Sequence, residues 1–371
     1  MTTTCYTLGG TGLRTSRLCL GTMTFGTEWG WGTDRATARG LFDRFVDAGG
    51  NFFDTADLYT NGTSEQWLGE FVRERKLRDQ AVIATKFSYN AEPGNPNAGG
   101  NGRKNILRAV EGSLRRLGTD YIDLYLLHTW DTFTPAEEVA RTCDDLVRSG
   151  KVRHVALSDV PAWYAGRFAT LAELRGWERP CALQLEYSLV ERGIEDEFVP
   201  LARATGMGVV VWSPLASGLL SGKYRPSRDA VSGEGRLAAL ADSGNPAFAK
   251  FTERNWAIVG ELEAVARELG RSMAQVALAW VLGRPGVASV IVGATKVSQL
   301  ADNLGAVDLV LPAPLVARLD AVSARAVAFP YTFFTPAMQA MLSGGVAVGD
   351  VPSGFRPPIL HAAKAAGVTR E

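Results

Sequence analysis

Four polar side chains stand at or just past the ends of three short apolar runs. Asp54 closes NFFD, with Tyr59 five residues later; Lys86 closes AVIATK; His128 closes IDLYLLH. Singly, each has a plain structural reading. Asp54 could cap a turn, Tyr59 could be a rim aromatic, Lys86 could be solvated, and His128 could be a satisfied core histidine. Together they supply a carboxylate, a phenol, an amine and an imidazole, a set suited to proton donation to a carbonyl oxygen. A phenol titrates near pH 10 and so keeps its proton at neutral pH. A neighbouring ammonium favours phenolate and should bring that pKa down, easing release of the proton. Lys86 could be that ammonium, held charged by Asp54, while one nitrogen of His128 orients the carbonyl. No nucleophile is needed if hydride comes from a cofactor. The rival chemistry makes Lys86 a Schiff-base nucleophile, as in aldol reactions. Asp57 lies in the same stretch but has no chemistry assigned to it and reads as a loop residue.

These residues need elements that bring separate run ends to one place. Eight runs read as buried strands, being short and mostly apolar: 17–21, 51–56, 81–86, 122–128, 154–159, 182–187, 208–214 and 289–294. Amphipathic stretches alternate with them at 34–49, 64–75, 104–118, 135–150, 161–176, 195–206, 252–270 and 272–283. Asp34 and Ser64 read as helix openers, and Gly49 as a stop. The alternation predicts a parallel α/β barrel of the (β/α)8 TIM type, against an open doubly wound sheet as the rival. No G-x-G-x-x-G follows the first strand, and polar residues gather at the C-terminal strand ends; both favour the barrel. Outside the alternation, 4–16 predicts a β-hairpin and 225–251 a long loop. The division expected is one barrel domain over 1–342 and a Gly/Pro-rich extension over 343–371.

Composition narrows the function classes. Thirty-nine basic and 39 acidic residues balance, giving no electrostatic reason to expect nucleic acid or an anionic membrane. No apolar run is long enough to cross a bilayer. The first residues carry no secretory pattern, and four scattered cysteines form no CxxC pair, so a cytoplasmic protein with reduced thiols is expected. With three histidines, His128, His154 and His361, widely spaced in the chain, no multi-histidine metal site is expected. Phe25, Trp29, Trp31, Phe87 and Trp130 fall in loops at the expected barrel mouth and predict a partly aromatic substrate pocket; rim packing among the loops is the alternative.

Several segments resemble the aldo-keto reductases, particularly bacterial members with longer chains. They are LGTMTFG (20–26), NFFDTADLYTNGTSE (51–65), ATKF (84–87), SLRRLGTDYIDLYLLH (113–128), WSPLASGLLSGKY (212–224) and VGATKVSQLADNLGA (292–306). The resemblance spans about 6–335. It implies NADPH-dependent reduction of an aldehyde or ketone, with Tyr59 as general acid, Lys86 and Asp54 tuning it, and His128 orienting the substrate. It also implies a cofactor site. Gly21, Thr22, Met23 and Asp54 would lie near the nicotinamide, Ser158, Asp159 and Gln184 at its carboxamide, and Trp212 stacked on the ring. Ser213, Pro214, Leu215, Gly218, Gly222 and Lys223 would form the pyrophosphate loop. Gly293, Thr295, Lys296, Gln299 and Asn303 would hold the adenosine end, and Lys296 would select NADP over NAD through the 2′-phosphate. Many members have asparagine at the position of Asp159; an ionised carboxylate can accept from a carboxamide NH2 but cannot donate to its oxygen. Some longer members reduce keto-sugars, although no residue here demands one. The superfamily also contains potassium-channel β subunits, which keeps a slow, cofactor-binding regulatory subunit as an alternative.

Overall fold

A computed structural model of the protein describes residues 4–226, 231–233, 235–240, 244–245 and 248–346. Residues Met1–Ser323 form one compact unit and Ala324–Glu371 a second. The expected extension lies within the second unit, and its residues 347–371, with His361, fall outside the described ones.

Two short strands open the first unit: β1 (Cys5–Thr7) and β2 (Arg14–Ser16) pair antiparallel as a hairpin. The barrel strands follow in order: β3 (Leu18–Gly21), β4 (Phe52–Asp54), β5 (Val82–Phe87), β6 (Ile122–Leu127), β7 (Val152–Ser158), β8 (Pro180–Glu186) and β9 (Gly208–Trp212). Then β10 (Arg225–Pro226) and β11 (Val231–Ser232) pair antiparallel outside the barrel. Finally β12 (Val287–Val292) inserts between β9 and β3, closing a barrel of parallel strands. The helices between them are α1 (Arg35–Asp47), α2 (Thr63–Glu74), α3 (Arg103–Leu117), α4 (Ala136–Arg148), α5 (Ala162–Arg175) and α6 (Phe198–Thr205). After β9 come α7 (Arg236–Leu240), α8 (Glu253–Leu269) and α9 (Met273–Leu282), and after β12 come α10 (Val297–Leu304) and α11 (Ala313–Val322). Part of the expected loop over 225–251 is therefore β10, β11 and α7.

The helices form where the apolar stripe has helical spacing. In α4, Val139, Ala140, Cys143 and Leu146 are buried while Glu138, Arg141 and Arg148 face water. Asp34 caps α1 as expected, its carboxylate accepting from the Thr37 amide at 2.7 Å. Ser64 does not cap α2. The helix starts at Thr63 after a left-handed Gly62, and the Ser64 hydroxyl is buried, donating to the Thr22 carbonyl at 2.8 Å.

Strand alternation makes two cores. On β6, Leu124 and Leu126 point into the barrel with Cys19, Phe52, Val82, Ala84, Ala156, Cys181, Ala182, Val210 and Ile291. Tyr125 and Leu127 point outward into the larger core beneath the helices. The hairpin covers the N-terminal end of the barrel, where Leu8 is fully buried. Gly9 turns there with φ +56, and a Cβ on it would meet the Cys181 carbonyl oxygen at 2.3 Å. The opposite end is left to the loops that follow each strand.

Candidate active site

That C-terminal end carries a cavity of about 1210 Å³. At its floor, β4 delivers Asp54 and β5 delivers Lys86. The Lys86 ammonium, fully buried, donates to Asp54 Oδ1 at 2.5 Å, to the Thr55 carbonyl at 2.8 Å and to Tyr59 Oη at 3.1 Å. Gln184 Nε2 donates to the other Asp54 oxygen at 2.7 Å. Both oxygens of the carboxylate are thus used, one of them to fix the lysine.

Tyr59 is aimed by an unusual turn. Thr60, Asn61 and Gly62 have φ of +46°, +55° and +95°, three left-handed residues in succession. The Thr60 hydroxyl anchors the turn by donating to the Phe25 carbonyl at 2.6 Å. His128 stands opposite, its ring centroid 5.7 Å from that of Tyr59. The expected four residues therefore meet.

Their electrostatics differ in one respect from the expectation. Burial pushes the Tyr59 phenol above its ordinary range, and the Lys86 ammonium, which pulls it down, does not outweigh burial. The resting phenol holds its proton firmly. Burial also works to strip Lys86 of its proton, but the Asp54 carboxylate and the Tyr59 contact more than offset this, and the net direction is up. Burial, with Lys86 as a second cause, drives His128 well below its usual value, so the imidazole is neutral. His128 Nδ1 is buried without a hydrogen-bond partner among the described residues.

Around this floor the cavity is walled by the ends of β3, β7, β8, β9 and β12. Of the residues that the resemblance assigns to a cofactor, Gly21, Met23, Ser158, Asp159, Gln184, Trp212, Ser213, Pro214, Leu215, Gly218, Lys223, Gly293, Thr295, Gln299 and Asn303 line it. Three expected residues do not. Thr22 is buried behind the floor, its hydroxyl donating to the Asp54 carbonyl at 2.9 Å. Gly222 turns against α9, where a Cβ would meet Met273 Sδ at 2.6 Å. Lys296 is exposed at the start of α10 and is absent from the wall. The Ser158 hydroxyl is buried and lines the cavity beside the Asp159 carboxylate, with no well-formed hydrogen bond among the described residues, which suits it to a polar ligand group such as a carboxamide. Gly293 has open space where a Cβ would stand, leaving room for a ligand beside the backbone. The residues present fit a dinucleotide.

The aromatic expectations divide. Trp29 and Trp31 line the cavity, their ring centroids 5.5 Å apart, and Trp29 meets the Tyr59 ring edge-on at 6.3 Å. Phe25 and Phe87 do not reach it. Phe25 is fully buried against Phe71, and Phe87 packs on Tyr125 at 4.9 Å. Lys86 points inward, so its strand neighbour Phe87 must point outward. Trp130 turns away to pack on Trp163 and Tyr164. One aromatic that sequence reasoning missed is Tyr89, which lines the cavity with its ring 4.9 Å from that of His128. It lies three residues past Lys86, and following that strand end a little further would have found it. Glu186, Phe248, Ser272 and Asp302 also line the cavity without having been expected. Asp57, read as a loop residue, is in a loop but buried, with Oδ1 unpartnered among the described residues.

Among the described residues no helix is long and apolar enough to cross a membrane, and no cluster of three or more His, Cys, Asp or Glu is placed to hold a metal ion.

A family model described as the aldo/keto reductase family matches residues 17–324. An uncharacterized oxidoreductase, YrpG, of Bacillus subtilis (strain 168) is 39% identical over 324 residues, covering 84% of this chain and 94% of its own. The aryl-alcohol dehydrogenase [NADP(+)] of Phanerodontia chrysosporium is 34% identical, covering 88% of this chain and 87% of its own. A probable voltage-gated potassium channel subunit beta of Oryza sativa subsp. japonica is 36% identical, covering 85% and 95%.

Proposed function

The chain belongs to the aldo/keto reductase family and is an oxidoreductase; on that premise we propose that it reduces an aldehyde or ketone to the alcohol with NADPH, Tyr59 acting as the general acid. The observation that carries this reading is the Lys86 ammonium bonded at once to Asp54 and Tyr59 on the cavity floor. NADPH, when bound, supplies hydride to the carbonyl carbon. The chain's own residues do the rest. Tyr59 gives its proton to the carbonyl oxygen. Lys86 sits within hydrogen-bond reach to stabilise the phenolate that remains, and Asp54 keeps Lys86 in place. Neutral His128 can donate to the same carbonyl oxygen and fix its direction. Ser158, Asp159, Gln184 and Trp212 would hold the nicotinamide, and Ser213 to Lys223 the pyrophosphate. Gly293 to Asn303 would hold the adenosine end, with the exposed Lys296 free to swing to a 2′-phosphate.

The Schiff-base alternative is disfavoured by the same geometry, because a nucleophilic lysine must be neutral and Lys86 is held charged. For the substrate, the flat walls of Trp29, Trp31 and Tyr89 favour an aryl or other planar carbonyl over a keto-sugar. The name of the Phanerodontia relative agrees with that preference.

The test measures binding of NADPH and NADH, and NADPH oxidation against a panel of aryl aldehydes, ketones and keto-sugars, in the wild type and Tyr59→Phe. We expect tighter binding of NADPH than of NADH, turnover fastest on aryl carbonyls, and a loss of at least about 100-fold in kcat in the variant with NADPH binding kept. Near-normal reduction by Tyr59→Phe would overturn the mechanism. Tight NADPH binding with no turnover on any carbonyl would favour the regulatory reading.

A further inference from the structure

Asp159 is a carboxyl group built into the cavity wall. It follows the last residue of β7, and its φ of +45 is a conformation that, glycine apart, Asn and Asp adopt most readily. Its Oδ1 accepts from the Trp212 indole N–H at 3.1 Å, and both side chains line the cavity. Its backbone is pinned as well: the Asp159 amide donates to the Gln184 carbonyl at 3.4 Å, and the Trp130 amide donates to the Asp159 carbonyl at 3.3 Å. All of these tasks could be done equally by asparagine, whose carboxamide oxygen would accept from the indole. Charge is what aspartate adds.

We propose that Asp159 makes the site discriminate between the redox states of its cofactor, its carboxylate favouring the cationic, oxidised nicotinamide over the neutral, reduced one, with the preference lost as the carboxyl protonates. This rests on the cofactor reading above, in which Trp212 and Asp159 border the nicotinamide. Asp159 is open to the cavity as it stands; a nicotinamide seated beside it would displace the water there, and a charge pair shut off from water interacts strongly. The groups that act on Asp159 come from several elements. Burial pushes its carboxyl up, to about 6, and Glu186 on β8 adds to that; the Trp212 indole on β9, the Lys86 ammonium on β5 and Ser158 on β7 pull the other way. The phenols of Tyr59 and Tyr89 feel the same carboxylate, which raises them both. Lys86 is already paired with Asp54, so its charge is largely spoken for.

The sign follows from linkage. A cationic ring next to Asp159 favours the carboxylate and releases a proton; a neutral ring that displaces water favours the acid and takes one up. The ratio of dissociation constants, NADPH over NADP+, should therefore be high above pH 6 and fall as pH drops through it. The 2′-phosphate also titrates near 6, but it is common to both forms and cancels in the ratio.

The experiment measures both dissociation constants by quenching of intrinsic tryptophan fluorescence from pH 5 to 8, on the full chain and on Asp159→Asn. In the wild type the ratio should change about tenfold over this range, and in Asp159→Asn it should be flat. Equal slopes in the two proteins, or a flat wild-type ratio, would overturn the inference. A second measurement needs no variant: calorimetric titration of the wild type at pH 6 in buffers of different ionisation enthalpy. It should show more protons taken up with NADPH than with NADP+, and equal uptake would overturn the inference. Failure of both nucleotides to bind would instead overturn the cofactor reading, and this inference with it.

Discussion

At the residue scale, Asp57 shows how burial alone can reset an acid. Its Oδ1 has no hydrogen-bond partner among the described residues, and burial followed by the nearby Glu65 carboxylate pushes its carboxyl up to about 7; Arg116, the Leu58 backbone and Arg108 only partly counter them. In an unfolded chain the same group titrates near 3.9. The folded protein therefore binds more protons between those values, and stability falls as pH rises from about 4 to about 7, then levels off. Asp57→Asn removes the titration. We expect its Tm, relative to wild type, to climb across that window and to exceed wild type by several degrees at pH 8. Parallel melting curves at pH 5 and pH 8 would reject this. None of it was legible in the sequence, where Asp57 stood in a polar loop with no sign of burial. Asp54, Lys86 and His128 were legible for the opposite reason, since polar groups ending apolar runs are conspicuous. The balance on Tyr59 was not, because a neighbouring ammonium can be inferred from spacing while the depth of burial cannot.

At the element scale, each of the eight barrel strands could be read as a short apolar run, but their ends could not. The second was expected over 51–56 and spans Phe52–Asp54, because Thr55 and Ala56 stay buried after the ladder stops. Alternation was the unused signal: with Lys86 inward, Phe87 had to leave the pocket. The start of α2 was hidden because three left-handed residues, not a serine cap, begin it. The seam between β3 and β12 depends on a residue that sequence reasoning passed over. Arg17 donates through Nη1 to the Val287 and Ala288 carbonyls, at 2.7 and 3.3 Å, and through Nη2 to the Leu282 carbonyl. Arg17→Ala leaves those acceptors to water or to nothing, at a cost of about 2 kcal/mol. Thermal melting should show a drop of a few degrees, and amide exchange should quicken in β3 and β12 ahead of β6 and β7. Uniform exchange would show that the arginine does not hold the seam.

At the scale of the whole molecule, the two nested cores determine what reagents can reach. Cys19 lies inside the barrel, Cys143 on the inner face of α4 and Cys181 near the hairpin plug, and all three are buried; Cys5 is exposed. Burial raises each buried thiol, Cys143 and Cys181 to about 12. A disulfide reagent added to the native protein should modify one thiol of the four, and all four after denaturation. Fast reaction of a second thiol in the native state would mean that the barrel opens readily. The barrel's closure also sets an order on synthesis. The Arg17 bonds across the seam join residues up to 271 apart in sequence. At ribosomal speeds the gap between making β3 and making its last partner is on the order of tens of seconds. Throughout that interval one edge of β3 has no strand to pair with, so Leu18–Gly21 is a segment that a nascent-chain chaperone would do well to cover.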